Sequence, residues 1–195
     1  MIVGLLLPVG PAAANPATGD ERVTVVARVV DNETGEVTQL ETQTLENVGG
    51  GVTIQTQPGS VLEGGGIAPF KTAGGTQGTG SASARVTVDY DTRTVSGKRE
   101  IRINRVYGGW TPLQSGVTFW SREVFYGAGI PMSGGYSATR TPTSNSFSYT
   151  TGWGWVEHYP VLPAGGSGPR AFTSARFGVS GMASFTLEVF VTITS

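Results

Sequence analysis

The chain has 195 residues, carries 13 basic against 14 acidic side chains, and contains no cysteine. This length suffices for one domain with a full hydrophobic core, and the near-neutral charge argues against a dedicated nucleic-acid binder, because such proteins carry a clear basic excess. The absence of cysteine excludes disulfides, zinc–thiolate sites and a cysteine nucleophile. With 14% charged residues and 30 glycines, the composition is typical of short strands joined by glycine turns.

The N-terminus has features of a secretory leader. An apolar run over residues 2–9 is followed by three alanines at 12–14, which fit a small-x-small cleavage site before Asn15. The run is short and no lysine or arginine precedes it, so the alternative is an apolar first strand. We favour a leader over 1–14 and a single, extracellular β-sandwich domain over 15–195. No segment reaches the roughly 20 apolar residues that a transmembrane helix needs.

The first structured segment of the predicted domain is a hairpin. Residues 22–30 are rich in β-branched side chains, and 31–36 supply the Asp, Asn and Gly of a turn. The chain then resumes at Val37, where a helix over 37–48 is the weaker alternative because of its threonines and β-branched residues.

Residues 47–84 form a loose segment in which eleven of 38 residues are glycine. Only 51–57 has a strand-like pattern. Structureless loops longer than about 12–15 residues are uncommon in compact domains, so this segment is either a linker or a long functional loop within the domain.

After residue 84 the sequence repeatedly alternates between apolar and polar side chains, which is the pattern of a strand with two different faces. Over 116–127 this alternation places Phe119 and Phe125 on one face, and Trp120 and Tyr126 on the other. Glycine-rich stretches between the segments, among them "GGWTP" at 108–112, are interpreted as turns. The strand-like segments are 84–92, 98–107, 116–127, 146–160, 170–180 and 182–194.

The last of these segments is the cleanest. Its odd positions from Ala183 to Ile193 are all apolar, and its even positions are polar except for Phe190. A strand with one dry and one wet face belongs to an antiparallel sheet that packs on one side. The sequence therefore predicts an all-β fold of seven to ten strands, arranged as a two-layer sandwich or jelly roll with little or no helix.

Aromatic residues gather in the segment 146–160. Read as one strand, it places Trp153, Trp155 and Tyr159 on the same face, and Trp110 lies earlier in the same aromatic half of the chain. Flat rings stack on the apolar faces of sugars, so this strip is either a binding surface or part of the core. We expect its first rings to be inside and Trp155 and Tyr159 to lie near a rim. The candidate ligand-binding residues are Trp110, Trp153, Trp155 and Tyr159.

Catalytic chemistry has little support in the sequence. His158 is the only histidine, and neither a G-x-S-x-G elbow nor a phosphate-binding loop is found. A glycosidase needs two carboxylates across the scissile bond, for which Glu123 and Glu157 are the candidate pair. No metal site and no cofactor are expected.

A basic stretch over 93–105 holds five of the 13 basic residues. It is either the solvated face of an edge strand or a surface for an anionic polymer such as an acidic cell-wall glycan.

Three functional hypotheses follow. The first is a secreted, non-catalytic β-sandwich that binds a carbohydrate or another cell-surface partner through the aromatic strip. No nucleic-acid partner is expected. The second is a small secreted glycoside hydrolase that uses Glu123 and Glu157. The third is a self-assembling envelope or capsid-like jelly roll. The sequence leaves ligand identity and oligomeric state open.

Overall fold

A computed structural model describes residues 22–40, 43–46, 52–56, 81–130, 134–158 and 168–194. Over these ranges the chain forms strands and no helix, and so contains no helix that could cross a membrane. The predicted leader and most of 47–84 lie outside the described residues. The strands are β1 (Arg22–Asp31), β2 (Val37–Gln39), β3 (Gln43–Glu46), β4 (Val52–Thr56), β5 (Ala82–Val95), β6 (Lys98–Pro112), β7 (Val117–Ala128), β8 (Tyr136–Arg140), β9 (Ser146–Thr150), β10 (Val156–Glu157), β11 (Arg170–Val179) and β12 (Ser184–Thr194).

The strands form two antiparallel sheets. The seven-stranded sheet has the order β2-β1-β12-β11-β7-β8 with β3 also on β1, and the five-stranded sheet has the order β10-β6-β5-β4 with β9 also on β6. Because β2 and β3 follow one another along β1, and β9 and β10 along β6, the sheets have six and four strand positions. Strands β11 and β12 pack on β5. The predicted all-β, two-layer antiparallel sandwich is confirmed.

Strict alternation of side chains fills the space between the sheets. In β12 every second residue from Phe185 to Ile193 is buried, as predicted, and in the facing sheet Val86 and Val88 of β5 are fully buried. Burying one such side chain contributes about 1.5–3 kcal/mol to folding. The core is therefore built by period-two patterning, and no helical segment is needed to cover it.

The predicted first hairpin is confirmed. The Asp31 carboxylate accepts hydrogen bonds from the backbone N–H groups of Glu33 (2.8 Å) and Thr34 (3.0 Å), and Gly35 has a φ of +73°. An aspartate that accepts hydrogen bonds from the backbone of its own turn, followed by a residue free to take positive φ, is common where the chain reverses direction. The alternative helix over 37–48 is wrong, because β2 and β3 are extended and pair with β1.

In β7 the predicted assignment of faces is wrong beyond Trp120. Two residues, Ser121 and Arg122, lie opposite a single residue of β11, and Ser121 has a φ of +48°. This β-bulge shifts the alternation by one residue. As a result Tyr126 is buried on the same side as Phe119, while Phe125 points outward.

The segment 146–160 is not one strand, so the continuous aromatic face predicted for it is also wrong. Strand β9 ends at Thr150, Gly152 adopts a φ of +66°, and pairing resumes only at Val156. Across this interruption the buried positions change from odd (Phe147) to even (Val156).

Candidate functional site

Trp110 is a core residue rather than a surface platform. Its side chain is only 3% exposed, and its ring centre lies 5.3 Å from that of Phe147. Its indole Nε1 is buried and has no hydrogen-bond partner in the described part of the chain. Since a buried N–H normally finds an acceptor, this group is an exception within the described core.

Trp153 packs within a stack of aromatic rings beside β7 and β8. Its ring lies between those of Tyr126 and Tyr136, 5.3 Å from each, and is nearly parallel to Tyr136 (13°). Tyr149 also stacks on Tyr126, so Trp153 and Tyr149 lie on the same side of their segment. Trp153 is therefore half-buried and ties the loop 151–155 to β7 and β8, and it leaves Tyr136, which is 38% exposed, at the surface.

Trp155 lies on the outer face of the five-stranded sheet, the face turned away from the other sheet. The guanidinium carbons of Arg93 and Arg102 lie 4.3 and 4.8 Å from its ring centre. Both arginines also form ion pairs, Arg93 with Glu100 and Arg102 with Asp91. Trp155 is thus held by cation–π contacts from two of the five basic residues of the stretch 93–105.

The two glutamates of the hydrolase hypothesis are not brought together. Glu123 is exposed on β7 of the seven-stranded sheet, next to buried Val124, and Glu157 lies on β10 of the five-stranded sheet, next to buried Val156. Both side chains therefore point away from the core on opposite outer faces. Packed sheets are about 10 Å apart, which already exceeds the carboxylate separation of a retaining glycosidase, about 5–5.5 Å.

His158 has a structural position. It is 6% exposed, and its Nε2 lies 3.2 Å from the carbonyl oxygen of Ile193 on β12, so it links the two sheets. Tyr159 lies outside the described residues. No group of three or more metal-binding side chains occurs within the described ranges.

A cavity of about 400 Å³ opens instead at the other end of the five-stranded sheet. We call it the Gly109 groove. On the outer face Gly109 of β6 is flanked by its register partners Arg85 of β5 and Ser146 of β9. Because glycine has no side chain, the sheet surface is lowest at this position. The residues that line the groove include Ser83, Arg85, Gly109, Trp110, Thr111, Asn145 and Ser146.

Two adjacent glycines make this end of the sheet possible. A Cβ on Gly108 would lie 2.0 Å from the Arg85 carbonyl oxygen, and one on Gly109 would lie 2.4 Å from that of Asn145. Trp110 N–H donates to the same Asn145 carbonyl at 2.8 Å. The backbone before β9 is therefore pressed against β6 and forms one wall of the groove.

The charges around the groove are unbalanced. Arg85 is exposed and makes no ion pair with any residue that the structure describes. Arg122 reaches from the β7 bulge and donates to the side-chain oxygen of Asn145 and to the carbonyl of Phe119, which are both neutral acceptors. Asp89, four residues along β5 from Arg85, is bonded at 3.0 Å to Arg105.

The interpretation of "GGWTP" as a turn is wrong, because β6 continues through it to Pro112, and for this reason the groove was not predicted from the sequence. A glycine inside a strand marks a close approach of another backbone, and Gly108–Gly109 within an alternating segment was the available indication. The contributions of Arg85 and Asn145 had no such indication, because only the pairing of β5, β6 and β9 brings them together.

A row of phenylalanines lies on the outer face of the seven-stranded sheet. This row was not predicted from the sequence. Phe125, Phe172 and Phe190 are register partners on β7, β11 and β12. The rings of Phe172 and Phe190 are 4.6 Å apart, and Arg170 and Arg28 lie over the two ends of the row. Phe190, the single exception in the polar face of its segment, was the visible sign of this row.

Comparison with known proteins adds no further assignment: no protein-family model matches this sequence, and no curated protein or solved structure is significantly similar to it.

Proposed function

We propose that this chain is an exported, non-catalytic β-sandwich module that binds a carbohydrate in the Gly109 groove. The observation that carries the proposal is the cavity of about 400 Å³ lined by hydroxyl, amide and guanidinium groups. This volume falls within the 300–1,000 Å³ typical of small-molecule sites. Hydroxyl side chains both donate and accept hydrogen bonds, and so match the hydroxyls of a sugar.

The groove replaces the aromatic strip as the proposed site. Trp110 is retained because it lines the groove, although its ring packs in the core against Phe147, whereas Trp153 and Trp155 are held by contacts within the protein. The non-catalytic part of the proposal is supported by the lining itself. No carboxylate and no histidine line the groove among the described residues, so the groups that usually perform acid–base catalysis are lacking there.

The test is binding to a glycan array, followed by calorimetric titration of the oligosaccharides that bind. A double variant, Ser83→Ala with Thr111→Val, removes two hydroxyls that the ligand would contact. Each lost hydrogen bond is worth about 0.5–1.5 kcal/mol, so the double variant should bind about 5- to 150-fold more weakly. Trp155→Ala is the matched control on the same sheet face and should bind normally. Loss of binding in Trp155→Ala alone would instead locate the site at the aromatic strip.

Export is tested separately, by secretion of the full chain from a suitable host and sequencing of its mature N-terminus. Residues 1–14 motivate this part of the proposal, and a mature protein that begins at Asn15 is the expected result. Retention of an unprocessed chain in the cell would contradict it.

A second candidate function is self-assembly through the outer face of the seven-stranded sheet. The observation that favours it is the in-register row Phe125–Phe172–Phe190, since aromatic residues are enriched where proteins associate. Light scattering over a dilution series is the test, with Phe172→Ser as the variant. A wild-type chain that stays monomeric at high concentration would end this candidate.

A further inference from the structure

We infer that the Gly109 groove selects an acidic sugar, whose anionic group pairs with Arg85. This inference rests on the proposed carbohydrate binding and adds the class of ligand. Basic residues on one face of the five-stranded sheet differ in whether they have a carboxylate partner. Four basic residues of β5 and β6 have carboxylate partners, and Arg85 beside the groove has none within the described residues. The four pairs are Arg93–Glu100, Lys98–Glu157, Arg102–Asp91 and Arg105–Asp89.

None of the described residues next to Arg85 carries a free negative charge that could pair with its guanidinium. Its register partner on β6 is Gly109, which has no side chain, and the next position across the sheet is Ser146. Asp89 is the nearest acidic residue along β5, about 13 Å away at roughly 3.3 Å per residue, and it is bonded to Arg105. Arg85 therefore borders the cavity as a cation that no carboxylate of the described residues neutralises.

Arg122 adds a second positive charge beside the groove. Its guanidinium holds the side-chain oxygen of Asn145, with Nε 3.0 Å from that oxygen. Since Asn145 forms part of the groove wall, Arg122 is a positioning residue that also raises the local potential. With two cations and no lining carboxylate in the described residues, the groove favours a negatively charged ligand.

The chemistry of the lining narrows the ligand further. A guanidinium presents N–H groups in a planar fork that binds carboxylate or sulfate with two parallel hydrogen bonds. The hydroxyls of Ser83, Thr111 and Ser146 surround the same cavity and suit the neutral hydroxyls of a sugar ring. A uronic acid or a sulfated sugar carries both kinds of group, whereas a neutral hexose leaves Arg85 without a partner.

The experiment compares three trisaccharides by calorimetric titration: galacturonic acid, neutral galactose with the same linkages, and sulfated galactose. A hydrogen bond to a charged group is worth a factor of about 10 to 150 in affinity, so we expect the wild-type chain to bind one acidic trisaccharide tighter than the neutral one by this factor. The preference should weaken as salt is added. Whichever acidic trisaccharide binds tighter identifies the anionic group.

Arg85→Gln should remove the preference for the acidic sugar without changing the melting temperature, because Arg85 is exposed. Arg85→Lys should keep part of it, and Lys98→Gln, at the far end of the same sheet, should keep all of it. If the neutral trisaccharide binds as tightly as the acidic ones, or if Arg85→Gln keeps the preference, the inference fails while carbohydrate binding stands. If no oligosaccharide on the array or in this set binds, the proposed function itself fails.

Discussion

Trp153 and Trp155, separated only by Gly154, pack on different sides of the five-stranded sheet. Trp153 contacts Tyr126 and Tyr136 of the opposite sheet, and Trp155 lies between Arg93 and Arg102 on the outer face. Two rings that alternation would place side by side therefore stabilise the protein in different ways: one by packing against other rings, the other by contacts with cations.

This difference predicts unequal effects on stability. Trp153→Ala removes a ring packed between two tyrosines and should lower the free energy of unfolding by about 3 kcal/mol. Trp155→Ala removes cation–π contacts at a half-exposed site and should cost about 1 kcal/mol. Urea unfolding measures both, with exposed Trp120→Ala as the control of smaller effect. Equal losses for Trp153→Ala and Trp155→Ala would contradict the assignment.

The β5–β6 hairpin turns through two residues with positive φ, Ser96 (+51°) and Gly97 (+77°). This is the geometry of a type I′ turn, for which Asn-Gly is the preferred sequence. Ser96→Asn should therefore raise the melting temperature, whereas Gly97→Ala should lower stability by about 1 kcal/mol or more. A Cβ at Gly97 meets no atom within 4 Å, so any loss reports backbone conformation rather than a clash. A Gly97→Ala variant as stable as wild type would argue against this turn geometry.

The Gly109 groove depends on close backbone contact. Gly109→Ala would place its Cβ 2.4 Å from the Asn145 carbonyl oxygen, so β9 would have to move. We expect a loss of about 1–3 kcal/mol from this overpacking, measured by thermal unfolding. Gly181→Ala provides a comparison, since its added Cβ meets no neighbour and only the positive φ is strained. A larger loss at Gly181 than at Gly109 would contradict the close approach.

The Asp91–Arg102 pair predicts acid sensitivity. Hydrogen bonds from the side chains of Arg102 and then Asn104 lower the pKa of the Asp91 carboxyl below its usual 3.8. A carboxyl whose pKa is lowered by folding stabilises the protein above its unfolded-state pKa, and this contribution is lost as the pH falls through the folded-state value. Because the pair is half-exposed, the contribution is a few tenths of a kcal/mol.

Asp91→Asn should accordingly lower stability near neutral pH and leave it unchanged at a pH well below the folded-state pKa, where the wild-type carboxyl is protonated as well. Urea midpoints across this range measure the effect. Asp31→Asn is measured as a comparison variant. Backbone N–H groups of Thr34 and Glu33 lower the pKa of Asp31, and asparagine keeps an acceptor oxygen for these N–H groups. An Asp91→Asn penalty that grew at acid pH would reverse the expected sign.

The fold was predictable because alternation is a local property. In β12 each apolar position from Phe185 to Ile193 is buried as expected, since that strand is regular throughout. Alternation failed where the backbone adds or interrupts a residue, at the Ser121 bulge and at the Gly152 loop, because a shift by one position exchanges the two faces. The contributions of Arg85 and Asn145 to the groove could not be predicted for a different reason: only the pairing of β5, β6 and β9 brings them together, and a single sequence does not specify that pairing.

The pairing of β1 with β12 has a consequence for how the chain acquires its structure. Arg28 and Glu188, which form an ion pair across these two central strands, are 160 positions apart in the sequence. Because these segments are far apart in the sequence, a long loop must close before their contacts can form. The entropy cost of closing that loop makes folding slow. The seven-stranded sheet should therefore be completed only once β12 is available to pair with β1.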